Sequence, residues 1–200
     1  MRGSALLVAA LLAVASAGDA RADEIEVREV VLRPVDDGYA LDADFAFELS
    51  PRLAEVVANG VPLYFRVDFE LTRRRWYWFD DTAVSSRLHL RLSYHALSRQ
   101  YRLSTGALQQ SFPTLEEALN VLTRVRNWLV VDRTVTLSGG DYEGAVRMRH
   151  DTTLLPKPFQ LSALTGRELH LESNWSRFIV HGLEQAPAPV ESRDPKGAGR

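Results

Sequence analysis

Alternation of apolar and polar residues dominates the middle of this chain. Tyr39, Leu41, Ala43, Phe45, Phe47 and Leu49 alternate with Ala40, Asp42, Asp44, Ala46 and Glu48. One side is apolar and the other largely acidic, as in a half-buried antiparallel strand. Ahead of it, Ile25, Val27, Val30, Val31 and Leu32 predict a strand over 24–32 near a sheet edge, closed by Pro34 and an Asp36-Asp37-Gly38 turn. The longest extended stretch runs from Val61 to Phe79. Leu63, Phe65, Val67, Phe69 and Leu71 share one face, and Tyr64, Arg66, Asp68, Glu70 and Thr72 the other. Nineteen residues exceed a typical strand, so a bulge or bend is predicted near Arg73-Arg74-Arg75.

Two segments change to helical spacing. Ser50 is placed to cap a short helix with Pro51 at its first position, and Asn59-Gly60 ends it. Its stripe of Leu53, Val56 and Val57 must pack on a sheet for so short a helix to persist. Thr114-Leu115-Glu116-Glu117 is a capping box that opens a second helix. Leu115, Ala118, Leu119, Leu122, Val125 and Leu129 carry that helix to about Trp128.

The remaining segments read as extended. Strands are predicted at 87–94, around Tyr101 and Leu103, at 107–112, 130–137 and 142–150, with a last strand from Leu169 through Val180. Leu155-Pro156-Lys157-Pro158-Phe159 reads as an extended stretch unsuited to a central strand. Short connections favour antiparallel pairing. The expected fold is mainly β with two helices, an antiparallel β-sandwich-like domain. An α+β arrangement with both helices on one sheet face is the alternative.

The first residues modify this picture. Arg2, the apolar run Ala5–Ala17 and Ala20-Arg21-Ala22 form a signal-peptide pattern, with cleavage after Ala22. The apolar run is short for a membrane anchor. The expected organisation is therefore a signal peptide over 1–22, a single β-rich domain over 23–183 and a disordered tail over 184–200, rich in Pro, Ala, Gly and charge. A periplasmic location and no transmembrane span after cleavage follow as expectations. Cleavage would leave 22 basic and 25 acidic residues, net −3. That balance argues against nucleic acid as a partner. The chain has no cysteine, which excludes disulfides, Cys-ligated metals and a Cys nucleophile.

Candidate chemistry is sparse. Arg73 to Asp81 joins three arginines, four aromatics and two aspartates. Strand parity puts Arg74, Trp76, Trp78 and Asp80 on one face, a candidate interaction surface of the kind that Trp and Arg form at binding hot spots. The competing reading buries one face and pairs Arg with Asp structurally. Arg66, Arg73, Arg74, Arg75, Arg87, Arg91, Arg99 and Arg102 crowd the middle of the chain, either to bind anionic headgroups or as a solvated face with compensating acids. The five histidines lack metal-ligand spacing; His89 and His95 would lie about 20 Å apart on a straight strand. Surface histidine is the expected reading, and no metal or cofactor is expected. There is no Gly-x-Ser-x-Gly elbow. A triad of Ser93, His150 and Asp151 would be an arbitrary selection, so no catalytic residue is assigned.

Several segments in order carry a resemblance. They are Phe45-Ala46-Phe47-Glu48-Leu49-Ser50, Asn59-Gly60-Val61-Pro62-Leu63, Arg73-Arg74-Arg75-Trp76-Tyr77-Trp78, Leu92-Ser93-Tyr94 with Tyr101, the helix after Thr114, Leu154-Leu155-Pro156-Lys157-Pro158 and Ser173-Asn174-Trp175. In this combination the chain resembles a bacterial envelope family catalogued as domain of unknown function 4390, some of whose members are called proline-rich signal-peptide proteins. The resemblance implies an envelope protein and no catalytic residues. It also implies a genomic neighbourhood shared with a two-component sensor kinase, which is association and not contact. The expected function is a non-enzymatic periplasmic interaction module with an envelope protein partner, accessory to a signalling or assembly complex. The alternative is a small-ligand or lipid-binding sandwich, and a hydrolase ranks third.

Overall fold

The computed structural model describes residues 24–73, 81–137, 140–160 and 169–181. The signal peptide over 1–22, the tail over 184–200 and the Arg74, Trp76, Trp78 and Asp80 surface lie outside these residues.

The described chain is mainly β, with two antiparallel sheets and two α-helices. A three-stranded sheet has the order β1-β2-β7, from β1 (Glu26–Val35), β2 (Gly38–Ala46) and β7 (Arg124–Asp132). A six-stranded sheet has the order β6-β5-β4-β3-β8-β9. Its strands are β3 (Leu63–Arg73), β4 (Asp81–His95), β5 (Gln100–Thr105), β6 (Leu108–Phe112), β8 (Tyr142–His150) and β9 (Ser176–Val180). Every pairing between these strands is antiparallel.

The core lies between the sheets. Leu63, Phe65, Val67, Phe69 and Leu71 form one fully buried row along β3, as the alternation predicts. Leu41, Ala43 and Phe45 of β2 and Val125 and Val130 of β7 join them. Phe69 meets Trp128 edge-on with ring centroids 6.5 Å apart, and Phe47 stacks on Phe65 at 5.5 Å. Helices α1 (Pro51–Ala58) and α2 (Leu115–Leu122) add Leu53, Val56, Val57, Ala118 and Leu122 to the same core. They contact β4 and β5. Ser50 Oγ accepts from Leu53 N, and Thr114 Oγ1 accepts from Glu117 N, so both predicted caps form.

Several boundaries differ from the sequence reading, and β4 already begins at Asp81 where a strand over 87–94 is predicted. Helix α2 stops at Leu122, and Arg124–Asp132 is strand β7 where helix to Trp128 and then strand 130–137 are predicted. The run Val125 to Val131 is rich in β-branched and aromatic residues and pairs with β2, which overrides the helical spacing. Asn127 takes a positive φ of 52° there, and its N–H donates to Asp42. Arg33 Nε also donates to Asp42, at 2.9 Å, and this contact is the main reason the Asp42 carboxyl titrates below its usual range. The segment expected to be extended over 155–159 instead follows a 3₁₀ turn at Thr152–Leu154 and coils into a helical turn at 157–160. Asp151 caps the first, and the prolines fall where a helix start needs no N–H.

The last strand begins at Ser176, not Leu169. Ser173 explains the delay: its hydroxyl accepts from Met148 N while its own N–H donates to Met148 O, so a side chain interrupts the ladder. The predicted irregularity near the arginines is present as a register shift at Leu71/Thr72 against β4. Gly38 is required by its surroundings. Its φ is +138°, and a Cβ there would lie 2.0 Å from the Val131 carbonyl oxygen.

Candidate functional site

The outward row of β3 builds a strongly charged surface. Register places Asp68 opposite Arg87 of β4 and opposite Arg147 of β8, while Arg66 faces His89 and Arg149. Strand parity and cross-strand register together therefore bring four arginines around one carboxylate. Arg66 Nε lies 3.1 Å from Asp68 Oδ1, and Arg87 Nε lies 3.6 Å from it. Arg147 Nε and Arg149 Nε lie 3.2 and 3.4 Å from Oδ2. The Asp68 side chain is 8% exposed, against 19% for Arg66, 26% for Arg147, 30% for Arg149 and 63% for Arg87.

One carboxylate cannot neutralise four guanidiniums. Asp151, 3.9 Å from Arg66 Nη1, supplies a second negative charge at the border. Arg66 directly opposite Arg149 is a like-charge cross-strand pair, an arrangement that costs stability on its own. Asp68 acts as the internal counter-ion that lets these side chains stand together. Four guanidiniums against Asp68, Asp151 and Glu70, which shares the outward row, leave one positive charge in surplus on this face.

Aromatic rings hold the periphery in place. Arg147 lies over the Trp175 ring, 4.4 Å from its centroid, and Arg91 lies over Tyr64 at 5.9 Å. These contacts, with the ion pairs to Asp68, restrain long side chains that would otherwise lose freedom on binding. Guanidiniums held in this way offer forked donors to carboxylate or phosphate oxygens.

The arginine crowd read from the sequence divides in the structure. Arg66, Arg87 and Arg91 share the outward face, and Arg102 lies on the same face opposite Ser93. Arg99 sits in the β4–β5 turn at a positive φ of 52°. Asp68, Arg147, Arg149 and Trp175 were not singled out from sequence. The signal for them was available, because Arg147 and Arg149 occupy alternate positions of β8 and Arg66 and Asp68 alternate positions of β3.

The surface-histidine reading fails for His150. It is buried, its Nδ1 donates to Leu169 O at 2.8 Å, and its ring lies 5.5 Å from that of Phe65. Burial pushes its pKa below the ordinary histidine value. Ser93, His150 and Asp151 are not assembled into a triad. The register puts Ser93 on the outward row with Arg102, whereas His150 pairs with Phe65 on the core side, and Asp151 Oδ1 is bonded to Thr153. Among the described residues no group of three or more His, Asp or Glu side chains is placed to hold a metal ion. Within the same residues no helix is long and apolar enough to cross a membrane.

An open cleft of about 1120 Å³ lies where β1 and β2 meet α2. Carboxylates of Glu24, Glu26, Glu29, Asp44 and Glu48 line it, together with Arg28 and Arg124. Phe45, Ala46, Phe47 and Leu119 add an apolar side to the cleft, and through Phe45 and Phe47 it borders the core.

No curated protein and no solved structure matches the chain. A family model does, over residues 22–179, and its description is Domain of unknown function (DUF4390). That match spans more than half of the sequence, and the chain belongs to this family.

Proposed function

We propose that this protein is a non-enzymatic interaction module of the bacterial envelope, exported to the periplasm, whose arginine face docks an anionic surface of an envelope protein partner. One observation carries the reading: four guanidiniums share a single buried carboxylate on an outward sheet face, leaving a fixed positive surplus. The fold tolerates a like-charge pair at Arg66 and Arg149 that packing does not need, and breaches of a local rule concentrate at functional surfaces. His150, the buried histidine a hydrolase reading would use, is committed to the Leu169 carbonyl.

The test is a crosslinking pull-down from intact cells with wild type and an Arg87→Glu/Arg91→Glu double variant. Both side chains are exposed, so the fold should persist. The reading expects one envelope protein recovered with wild type, weakened by salt and lost with the double variant. Equal recovery from a folded double variant would refute it.

A further inference from the structure

We propose that the β6 edge is a self-association surface, where two copies of this chain pair antiparallel, β6 against β6, about a two-fold axis at Gln110. This does not depend on the arginine face. Strand β6 ends the order of the six-stranded sheet, and Leu108, Gln109, Gln110 and Ser111 are all exposed, Leu108 by 72%. The two-residue Gly106-Ala107 turn closes the hairpin at Thr105 and Leu108. In such a hairpin Thr105/Leu108, Leu103/Gln110 and Tyr101/Phe112 are the hydrogen-bonded pairs. The N–H and C=O groups of Gln109 and Ser111 therefore point away from β5, toward the open edge.

The other edges are blunted. Strand β1 carries Glu26, Arg28, Glu29, Arg33 and Pro34 and a register shift at Val27/Glu29. Charge, proline and bulges are the devices that keep edge strands from pairing. Strands β7 and β9 each carry arginine. Strand β6 reads Leu-Gln-Gln-Ser-Phe, with no charge, no proline and a regular register.

The same five residues are complementary to themselves. A two-fold axis at Gln110 sets Leu108 against Phe112 of the second copy, Gln109 against Ser111, and Gln110 against its own mate. Apolar meets apolar, amide meets amide, and no like charges oppose each other. Gln109 and Ser111 would exchange backbone hydrogen bonds with the second copy on both sides of the axis. That self-match selects a second copy over an unrelated extended segment. The axis stands perpendicular to the sheet, so both arginine faces would lie on one side of a continuous sheet. A single strand pair makes a small interface, and its dissociation constant is expected at about 1–100 μM.

Sedimentation equilibrium of the purified protein from about 1 to 300 μM brackets that range. Wild type should show a monomer–dimer equilibrium. Gln110→Lys, at an exposed position, should weaken it at least tenfold by opposing two ammonium groups across the axis. An equimolar mixture of Gln110→Lys and Gln110→Glu should restore association as a heterodimer. A wild type that stays monomeric throughout would overturn the proposal and leave the edge to another segment. So would a dimer indifferent to Gln110→Lys, or a mixture that does not recover.

Discussion

Replacing Asp68 by Asn probes the arginine cluster most sharply. The substitution keeps the side-chain shape and removes one negative charge from among Arg66, Arg87, Arg147 and Arg149. Removing one member of a buried ion pair commonly costs about 3–5 kcal/mol. Here the carboxylate is buried but its partners are part-exposed, so water screens part of the repulsion left behind and the cost falls to about 2–4 kcal/mol. For a domain of this size that corresponds to a drop in Tm on the order of 5–12 °C. Urea unfolding of both proteins in low-salt buffer measures it. Sulfate then separates the electrostatic account from a packing defect. A divalent oxyanion can take the place of the missing carboxylate, so Asp68→Asn should gain more from sulfate than wild type does at matched ionic strength. Wild type supplies the baseline for the general stabilising effect of sulfate. A variant within about 0.5 kcal/mol of wild type, the usual scatter for a neutral surface change, would refute the reasoning. Equal gains from sulfate in both proteins would do the same.

Three further outcomes follow from the packing. Gly38→Ala should cost on the order of 3 kcal/mol, because it combines a disfavoured φ with a backbone clash against Val131; thermal unfolding reads it, and a change below about 1 kcal/mol would contradict the close approach. Because the His150 pKa is lowered in the folded state, stability is fully present above about pH 6.5 and is lost as pH falls toward the folded pKa, by at most about 1.4 kcal/mol per pH unit for this one proton. His150→Asn retains a donor for Leu169 O and should flatten that dependence between about pH 5.5 and 7.5; an unchanged slope would assign it elsewhere. Gly144→Ala should cost about 1–3 kcal/mol by pressing a methyl into the Phe178 ring, and most of that penalty should vanish in a Phe178→Ala background, a coupling that a double-mutant cycle measures.

The sequence made the β architecture legible because period-two alternation survives wherever one strand face is buried. The β3 row from Leu63 to Leu71 and the β2 row through Phe45 are buried as read, and Ser50 and Thr114 mark both helix starts. Boundaries were less legible where tertiary contacts outweigh local pattern. Val125 and Leu129 continue a helical stripe, yet pairing with β2 makes their segment a strand. Leu169 and Leu171 look like strand residues, yet Ser173 bonding delays the ladder to Ser176. The arginine cluster was half legible. Its rows are visible in β3 and β8 separately, but only the register that sets Asp68 between Arg87 and Arg147 turns scattered arginines into a surface. His150 shows the reverse failure, since its parity places it with Phe65 in the core and residue type alone suggested the surface.

The central claim is that the outward arginine face meets a partner in the envelope. Site-specific photocrosslinking in intact cells tests it most directly, with the crosslinker at His89 on that face and, as control, at Glu55 on α1; both positions are exposed. The account predicts a discrete protein adduct from position 89 that is absent from position 55 and is lost when Arg87 and Arg91 are reversed in charge. No adduct at 89, or the same adduct from both positions, would contradict it.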